Sequence, residues 1–207
     1  MLIKFKDIVA KYGKPKGIIH IGAHKMEERE DYLASGIKDI IWIEANPELV
    51  KRNQSLTSPL ESVFGCAVSD VDNKIYDFNI TNNGESSSIL DLDLHKTHHP
   101  HIHVTETIKV KSRRIDTLIK ENSINIQDYD FVNIDIQGAE LLALKGFGDC
   151  LRSVKYIYTE VNTNFLYKDC ALVSQIDEYL EKYEFKRVAT AMTRYEWGDA
   201  FYIKQND

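Results

Sequence analysis

Three acidic residues end or follow apolar runs of the sequence: Glu44, Asp135 and Glu160. In a parallel sheet, ligands bind at the carboxyl ends of the strands and in the loops that follow them. We therefore expect these carboxylates to lie close to a binding or reaction site. For Asp135 a second interpretation stays open, since aspartate also commonly caps the amino terminus of a helix.

Glu44 lies about twenty residues after Gly22, the spacing at which α/β nucleotide-binding units place the acid that accepts hydrogen bonds from ribose hydroxyls. A carboxylate suits this role because it accepts both hydroxyl protons in charge-assisted bonds. The alternative is a surface acid at the start of the helix that Pro47 begins. The segment of residues 20–26 carries one glycine, not the G-x-G-x-x-G pattern of pyrophosphate-binding loops. This favours a nucleoside ligand without phosphates, such as S-adenosylmethionine, over NAD or FAD.

The elements that must position these residues alternate along the chain. The amino-terminal half predicts, in order, a helix at 5–13, a strand at 17–21, a helix at 25–35, a strand at 39–44, a helix from Pro47 and a strand at 62–68. The alternation resumes with a helix at 115–121, a strand at 131–135, a helix from about 138, a strand at 155–160, a helix at 171–183 and an antiparallel pair at 185–191 and 200–204. Such alternation is typical of right-handed crossovers and a parallel sheet.

Residues 71–113 depart from this rhythm. Residues 74–80 and 107–113 alternate apolar and polar side chains, which is typical of half-exposed antiparallel strands. We interpret this segment as a β-rich insertion or lid within a single domain of residues 1–207.

Composition narrows the function further. The chain of 207 residues has a formal net charge of −6, which disfavours a nucleic-acid partner. Its 3 cysteines are widely spaced, as in reduced cytosolic proteins. The amino terminus lacks a secretory apolar core, and no apolar run is long enough to span a bilayer. We expect a cytoplasmic protein without membrane insertion.

Several motifs, in this order along the chain, resemble those of the FkbM family of S-adenosylmethionine-dependent methyltransferases. They lie at residues 20–24, 44–47, 66–70, 135–146 and 198–202. The resemblance implies the class I methyltransferase fold, a Rossmann-like α/β architecture with a mostly parallel seven-stranded sheet and an antiparallel edge strand. It also implies O-methylation of a hydroxyl on a sugar, a glycan or a sugar-containing metabolite, with S-adenosyl-L-methionine as cofactor.

The resemblance also implies roles for individual residues. The predicted cofactor-binding residues are His20, Gly22, Ala23, His24, Glu44, Ala45, Cys66, Ala67, Val68, Ser87 and Asp135. Asp135 is the first candidate for the base that takes the proton of the acceptor hydroxyl, followed by Glu160 and Glu140. For Glu140 a structural role at the start of a helix is the favoured interpretation, and for Glu160 a capping role is an equal alternative to substrate contact.

Four residues depart from the family pattern: His20 stands where aspartate is usual, His24 where asparagine is usual, Met26 where glycine is usual, and Gln137 where glutamate is common. They leave open an alternative function, a non-catalytic S-adenosylmethionine-binding, nucleoside-binding or assembly module of the same fold. A nicotinamide-dependent oxidoreductase is a third, disfavoured hypothesis.

Residues 95–103 hold five of the 7 histidines. They are interpreted as a solvated loop or a substrate contact, and we predict no metal site there because Pro100 and the irregular spacing disfavour one. The expected partner is a small-molecule or glycan acceptor, and a homo-oligomer stays possible.

Overall fold

A computed structural model describes residues 1–205 of the chain. The strands are β1 (Ile18–Ile21), β2 (Ile40–Glu44), β3 (Glu61–Gly65), β4 (Ala67–Val68), β5 (Ile75–Thr81), β6 (Val104–Arg113), β7 (Phe131–Ile134), β8 (Tyr156–Asn162), β9 (Phe185–Met192) and β10 (Trp197–Lys204). The helices are α1 (Phe5–Tyr12), α2 (Arg29–Ala34), α3 (Pro47–Gln54), α4 (His95–His98), α5 (Ile115–Glu121), α6 (Glu140–Gly146) and α7 (Val173–Glu181). Short 3₁₀ helices span Ile126–Asp128 and Gly148–Ser153.

Seven strands form the main sheet in the order β3-β2-β1-β7-β8-β10-β9. The five strands from β3 to β8 pair in parallel, whereas β10 is antiparallel to both of its neighbours. This confirms the expected mostly parallel α/β fold. The antiparallel strand lies one position in from the edge, because β10 folds back from β9 and inserts between β9 and β8.

The two faces of the main sheet bury separate apolar clusters because successive side chains of a strand point to opposite faces. Ile19, Ile41 and Val132 belong to the cluster that packs beneath α5, α6 and α7. Their neighbours on the same strands pack on the other face, against α1 and α2. The parallel strands β1 and β7 are buried along their whole length, as their continuous apolar sequences predict.

A second, three-stranded sheet has the order β4-β6-β5. Two of its strands, β5 and β6, lie within the predicted insertion of residues 71–113. The strand expected at 62–68 is divided at Cys66 into β3 and β4. Its first part pairs with β2, and its second part, at Ala67 and Val68, pairs with the end of β6. The division therefore ties the second sheet to the carboxyl edge of the main sheet.

The helix expected at 25–35 begins only at Arg29, because residues 22–28 form a compact loop. His24 and Met26 adopt positive φ angles of 41° and 58°, which a continuous α-helix excludes. The loop is held by contacts with other elements, including a bond from Asn53 Nδ2 to the His24 carbonyl at 2.8 Å. Tertiary contacts thus override the local helical pattern.

Candidate functional site

Two clefts open at the carboxyl edge of the parallel strands, where the sequence places the acidic residues. The first, which we call the narrow cleft, encloses about 620 Å³ and lies between the ends of β1, β2 and β7 and the second sheet. The second, the wide cleft, encloses about 1400 Å³ and lies between the ends of β1, β7, β8 and β10 and the segment that follows β5.

The two clefts share one wall. The residues that line both are Gly22, His24, Glu85, Asp135 and Gln137. A ligand in the narrow cleft and a ligand in the wide cleft would therefore meet at these residues.

Glu44, the last residue of β2, stands in the narrow cleft with its carboxylate held by the backbone. Its Oε2 accepts from the His24 amide at 2.8 Å, and its Oε1 accepts from the Asn46 amide at 2.8 Å. Burial raises the pKa of Glu44, and the two amide bonds act in the opposite direction. Each oxygen keeps a further lone pair, so the carboxylate is positioned to accept from a pair of ligand hydroxyls.

The rest of the narrow cleft is largely apolar. Its lining side chains include Leu49, Val68, Phe78 and Ile89, with Cys66 beside them. Burial raises the pKa of the Cys66 thiol to about 12, so this thiol is neutral. A flat aromatic base fits between such walls, next to the anchored carboxylate.

The chain makes a close approach where the loops after β1 and β7 meet. Gly22 has a φ of 88°, and a Cβ on this residue would lie 1.8 Å from the Asp135 carbonyl oxygen. Only glycine fits here. The close approach brings Asp135 against the loop that lines both clefts.

Asp135 and Glu160 are joined by one amide. Gln137 Nε2 donates to Asp135 Oδ1 at 2.7 Å and to Glu160 Oε2 at 2.7 Å. On the other side, the Tyr167 hydroxyl donates to Gln137 Oε1 at 2.6 Å. Gln137 therefore connects the loop after β7 with β8 and with the segment that precedes α7.

The protonation of both carboxyl groups is perturbed. Burial in the protein, opposed by the bond from Gln137, raises the pKa of Asp135 to about 6, and the nearby negative charges of Asp199 and Glu28 contribute. Burial also raises the pKa of Glu160 well above its usual value, and Asp135 adds to this through charge repulsion. Asp135 still reaches the open space of both clefts, whereas Glu160 is buried in the wall of the wide cleft. Asp135 is therefore a group that can exchange a proton near neutral pH.

Glu160 is an internal residue of β8, not its last, since the strand continues to Asn162. Glu140 is fully buried at the start of α6 and lines neither cleft. Its Oε1 accepts from the amides of Ile136 at 3.2 Å and Gly138 at 3.0 Å. The Glu140 carboxylate therefore holds the loop after β7.

Nine of the eleven predicted cofactor-binding residues line the narrow cleft. They are Gly22, His24, Glu44, Ala45, Cys66, Ala67, Val68, Ser87 and Asp135. Ala23 lines neither cleft, because its side chain is buried in the apolar cluster beneath α1 and α2. His20 lines the wide cleft, and its Nδ1 lies 3.2 Å from the Tyr32 hydroxyl.

Met26 leaves both clefts open. Its side chain is 5% exposed and packs in the cluster with Trp42 and Tyr32. It lines neither cleft, so the replacement of a small residue at this position does not obstruct them.

The histidine-rich segment forms part of the wall of the wide cleft, through His95, His99 and His101. Burial, with repulsion from neighbouring imidazoles, lowers the pKa of His95 to about 4. Within residues 1–205, no three His, Cys, Asp or Glu side chains are grouped in a way that could hold a metal ion.

Sequence reasoning missed several residues of the wide cleft, among them Tyr167, Asn133, Trp197 and Asp199. Asp199 accepts from the Tyr158 hydroxyl and from the Leu2 amide. Position on the strand was an available signal for Asn133, which occupies the same register on β7 as His20 on β1. Asp199 lies within the motif at residues 198–202, which was a second signal, whereas Tyr167 and Trp197 carried none.

The sequence pattern of the FkbM methyltransferase domain matches residues 20–187, which is most of the chain. The chain belongs to the FkbM methyltransferase family. It is therefore an S-adenosylmethionine-dependent methyltransferase, and the resemblance seen in its motifs is confirmed.

A curated relative of this FkbM methyltransferase is the 2-O-methyltransferase NoeI of Sinorhizobium fredii (strain NBRC 101917 / NGR234). It is 26% identical over 190 residues, which cover 86% of this chain and 77% of the relative.

Solved structures share the fold at low sequence identity. Magnesium protoporphyrin IX methyltransferase (ChlM) of Synechocystis PCC 6803, with bound SAM, superposes with a TM-score of 0.51 at 11% identity, covering 97% of this chain and 76% of that one. A Listeria monocytogenes protein, provisionally assigned as an S-adenosylmethionine-dependent methyltransferase, gives 0.55 at 9% identity and covers 98% of both chains. These likenesses confirm the class I methyltransferase fold. In residues 1–205, no helix is both long and apolar enough to cross a membrane.

Proposed function

We propose that this FkbM methyltransferase binds S-adenosyl-L-methionine in the narrow cleft and methylates a hydroxyl of a sugar-containing acceptor in the wide cleft. The observation that carries the proposal is the shared wall at Asp135, which faces both clefts. A methyl donor and an acceptor that occupied the two clefts would meet beside this carboxylate.

The residues of the narrow cleft fit the cofactor. Glu44, fixed by two backbone amides, would accept from the ribose hydroxyls. Val68, Phe78 and Ile89 would enclose the adenine between apolar surfaces. His24, which lines both clefts, would face the amino-acid portion.

When bound, the cofactor supplies an electrophilic methyl group on a positively charged sulfur. Placing two reactants side by side accounts for a large part of the acceleration of such a displacement. Asp135 would take the proton of the acceptor hydroxyl, and its pKa near 6 leaves it mostly ionised at pH 7.

The charges of the wide cleft favour an uncharged hydroxyl acceptor. Its lining includes the carboxylates of Glu27, Glu28, Glu85, Asp135, Glu160 and Asp199, and among the described residues no Lys or Arg. A phosphorylated acceptor would meet repulsion at this surface. Aromatic side chains at Tyr167 and Trp197 provide faces on which a sugar ring can pack. The 2-O-methyltransferase activity named for the relative NoeI supports a sugar hydroxyl as the target.

The second sheet supplies Phe78 to the narrow cleft. The segment after β5 supplies Ser87 and Ile89 to the narrow cleft and His95 and His99 to the wide one. Because residues of the predicted insertion line both clefts, their position supports the hypothesis that residues 1–207 form a single domain. A cytoplasmic location, a homo-oligomer and the absence of a nucleic-acid partner stay predictions.

The test begins with calorimetric titration of the protein with S-adenosylmethionine and S-adenosylhomocysteine. We expect micromolar affinity for the wild type and at least a tenfold weaker affinity for Glu44→Ala, because the ribose would lose charge-assisted bonds. Glu106→Ala, on the exposed surface of β6, is the matched control. No binding at millimolar cofactor would contradict the proposal.

Methyl transfer is then measured with labelled cofactor on a panel of neutral, amino and phosphorylated sugars, with mass spectrometry of the products. Product formation that is lost in Asp135→Asn supports catalysis at the shared wall. Cofactor binding with no transfer to any acceptor would favour the alternative, a non-catalytic binding module.

A further inference from the structure

The amide of Gln137 lies between two carboxylates that face the wide cleft. The Tyr167 hydroxyl donates to the amide oxygen, so the amide nitrogen points towards the two carboxyl groups. The three bonds, at 2.7, 2.7 and 2.6 Å, use both protons of the amide nitrogen and fix the orientation of the group.

The backbone also holds Gln137 in place. Its φ of 56° lies in the left-handed region, and the next residue, Gly138, has a φ of 101°. The Gln137 carbonyl accepts from Ser88 Oγ at 2.8 Å, which ties it to the segment after β5. Residues in such conformations persist only where the surroundings impose them.

We propose that Gln137 is a positioning residue of the transfer reaction: its amide holds Asp135 towards the shared wall of the two clefts and separates it from Glu160. This inference rests on the proposed function. It adds to that function a positioning role for a side chain that neither transfers a proton nor carries a charge.

The separation matters because the surroundings of Asp135 are strongly negative. The ionisable groups around it are Glu160 on β8, Asp199 on β10, Glu28 before α2, Glu140 on α6, the amino terminus of Met1 and the hydroxyl of Tyr167, together with Glu85 and His24 in the shared wall. Five of these eight are acids. A neutral donor shared by Asp135 and Glu160 stabilises the ionised form of either carboxyl group without adding a further negative charge.

Replacement of the amide therefore has a predictable effect on protonation. In Gln137→Met, a side chain of similar length without a donor, the ionised form of Asp135 loses a hydrogen bond and its pKa rises. In Gln137→Glu, a further carboxylate raises the pKa of Asp135 more. In Tyr167→Phe, the amide remains but its orientation is no longer fixed, and we expect a smaller rise.

The readout is the preference for S-adenosylmethionine over S-adenosylhomocysteine, measured as the ratio of dissociation constants between pH 5 and pH 8.5. The first ligand carries a positive sulfur and the second does not, so the ratio reports the charge of Asp135 and needs no acceptor. For the wild type we expect the preference for the cationic ligand to fall as the pH drops through about 6.

We expect the midpoint of this pH dependence to move upward by about one pH unit in Gln137→Met and further in Gln137→Glu. Gln54→Met, the same change on the exposed surface of α3, should leave it unchanged. A thermal melt of each variant separates a change in protonation from a loss of folding. Should Gln137→Met misfold, Tyr167→Phe provides the same test from outside the loop.

Failure of the inference is distinguishable from failure of the proposed function. If the wild type binds neither ligand, the proposed function is overturned. If it binds both and the midpoint of the folded Gln137→Met variant equals that of the wild type, Gln137 has no positioning role and the proposed function still stands.

Discussion

Glu61 anchors the helix that follows the loop lining both clefts, and its replacement by glutamine tests how that loop is held. Arg29, the first residue of α2, donates to its two oxygens at 2.8 Å and 2.7 Å, and Trp42 Nε1 donates at 3.1 Å. The Glu61 side chain has 0% exposure. Breaking one side of such a shielded pair leaves an uncompensated charge, so the effect on stability should be large.

The magnitude follows from the pKa of Glu61. Burial alone would raise this pKa, but hydrogen bonds from Arg29, Ser58 and Trp42 outweigh burial and lower it from 4.5 to about 2. With about 1.36 kcal/mol per pKa unit, the ionised carboxylate contributes about 3 kcal/mol to the free energy of unfolding at pH 7. Because the folded-state pKa is the lower one, this contribution is lost as the pH falls from 4.5 towards 2, and about 1 kcal/mol remains at pH 3.

We therefore expect Glu61→Gln to lower the free energy of unfolding by about 3 kcal/mol at pH 7 and by about 1 kcal/mol at pH 3. Urea unfolding followed by tryptophan fluorescence measures both values, and protonation of other groups cancels in the comparison with wild type. Glu106→Gln, an exposed change on β6, is the control. An equal loss of stability at the two pH values would refute the reasoning, as would a loss no larger than that of the control.

Three further predictions follow from the site. Gly22→Ala should weaken cofactor binding at least tenfold, since its Cβ would overlap the Asp135 carbonyl oxygen; Gly13→Ala, at a φ of 93° with open space around it, should leave binding intact in the same titration. Cys66 should resist iodoacetamide at pH 8 because burial raises its pKa to about 12, and it should react once urea unfolds the protein; equal rates in both states, by peptide mass spectrometry, would contradict this. Asp135→Asn should raise the melting temperature more at pH 8 than at pH 5. Because the folded-state pKa of Asp135 is raised from 3.8 to about 6, its ionisation opposes folding increasingly as the pH rises between these two values, and fully above the higher one. A gain in melting temperature over wild type that is no larger at pH 8 than at pH 5 would count against this.

Much of the fold could be predicted because its signals are local. The continuous apolar sequences of β1 and β7 belong to strands buried on both faces, and the alternation in β5 and β6 belongs to strands exposed on one face. The predictions erred where distant contacts control the backbone. α2 begins late because the bonds of His24 to Glu44 and Asn53 stabilise a loop in place of its first turn.

The residues of the candidate site likewise divide into those that could be identified from the sequence and those that could not. Glu44 and Asp135 could be named from the sequence because a strand that ends in an acid has a defined place in a parallel sheet. Glu140 could not be separated from them, since only the structure shows its carboxylate bound to the loop amides. Tyr167 could not be found, because its contact with Gln137 joins residues thirty positions apart.

The sequence by itself determined the family, the alternation of strands and helices along the chain, and the acids Glu44 and Asp135 at the carboxyl ends of β2 and β7, because motif order and side-chain periodicity are properties of neighbouring residues. Only the tertiary structure decided that Met26 turns into the core, that His20 faces the wide cleft and that Gln137 separates two carboxylates. These features depend on which segments the sheet brings together and on the charge and burial that result. Burial and the negative charges gathered around Asp135 set its protonation, and neither can be obtained from the residues that adjoin it in the chain.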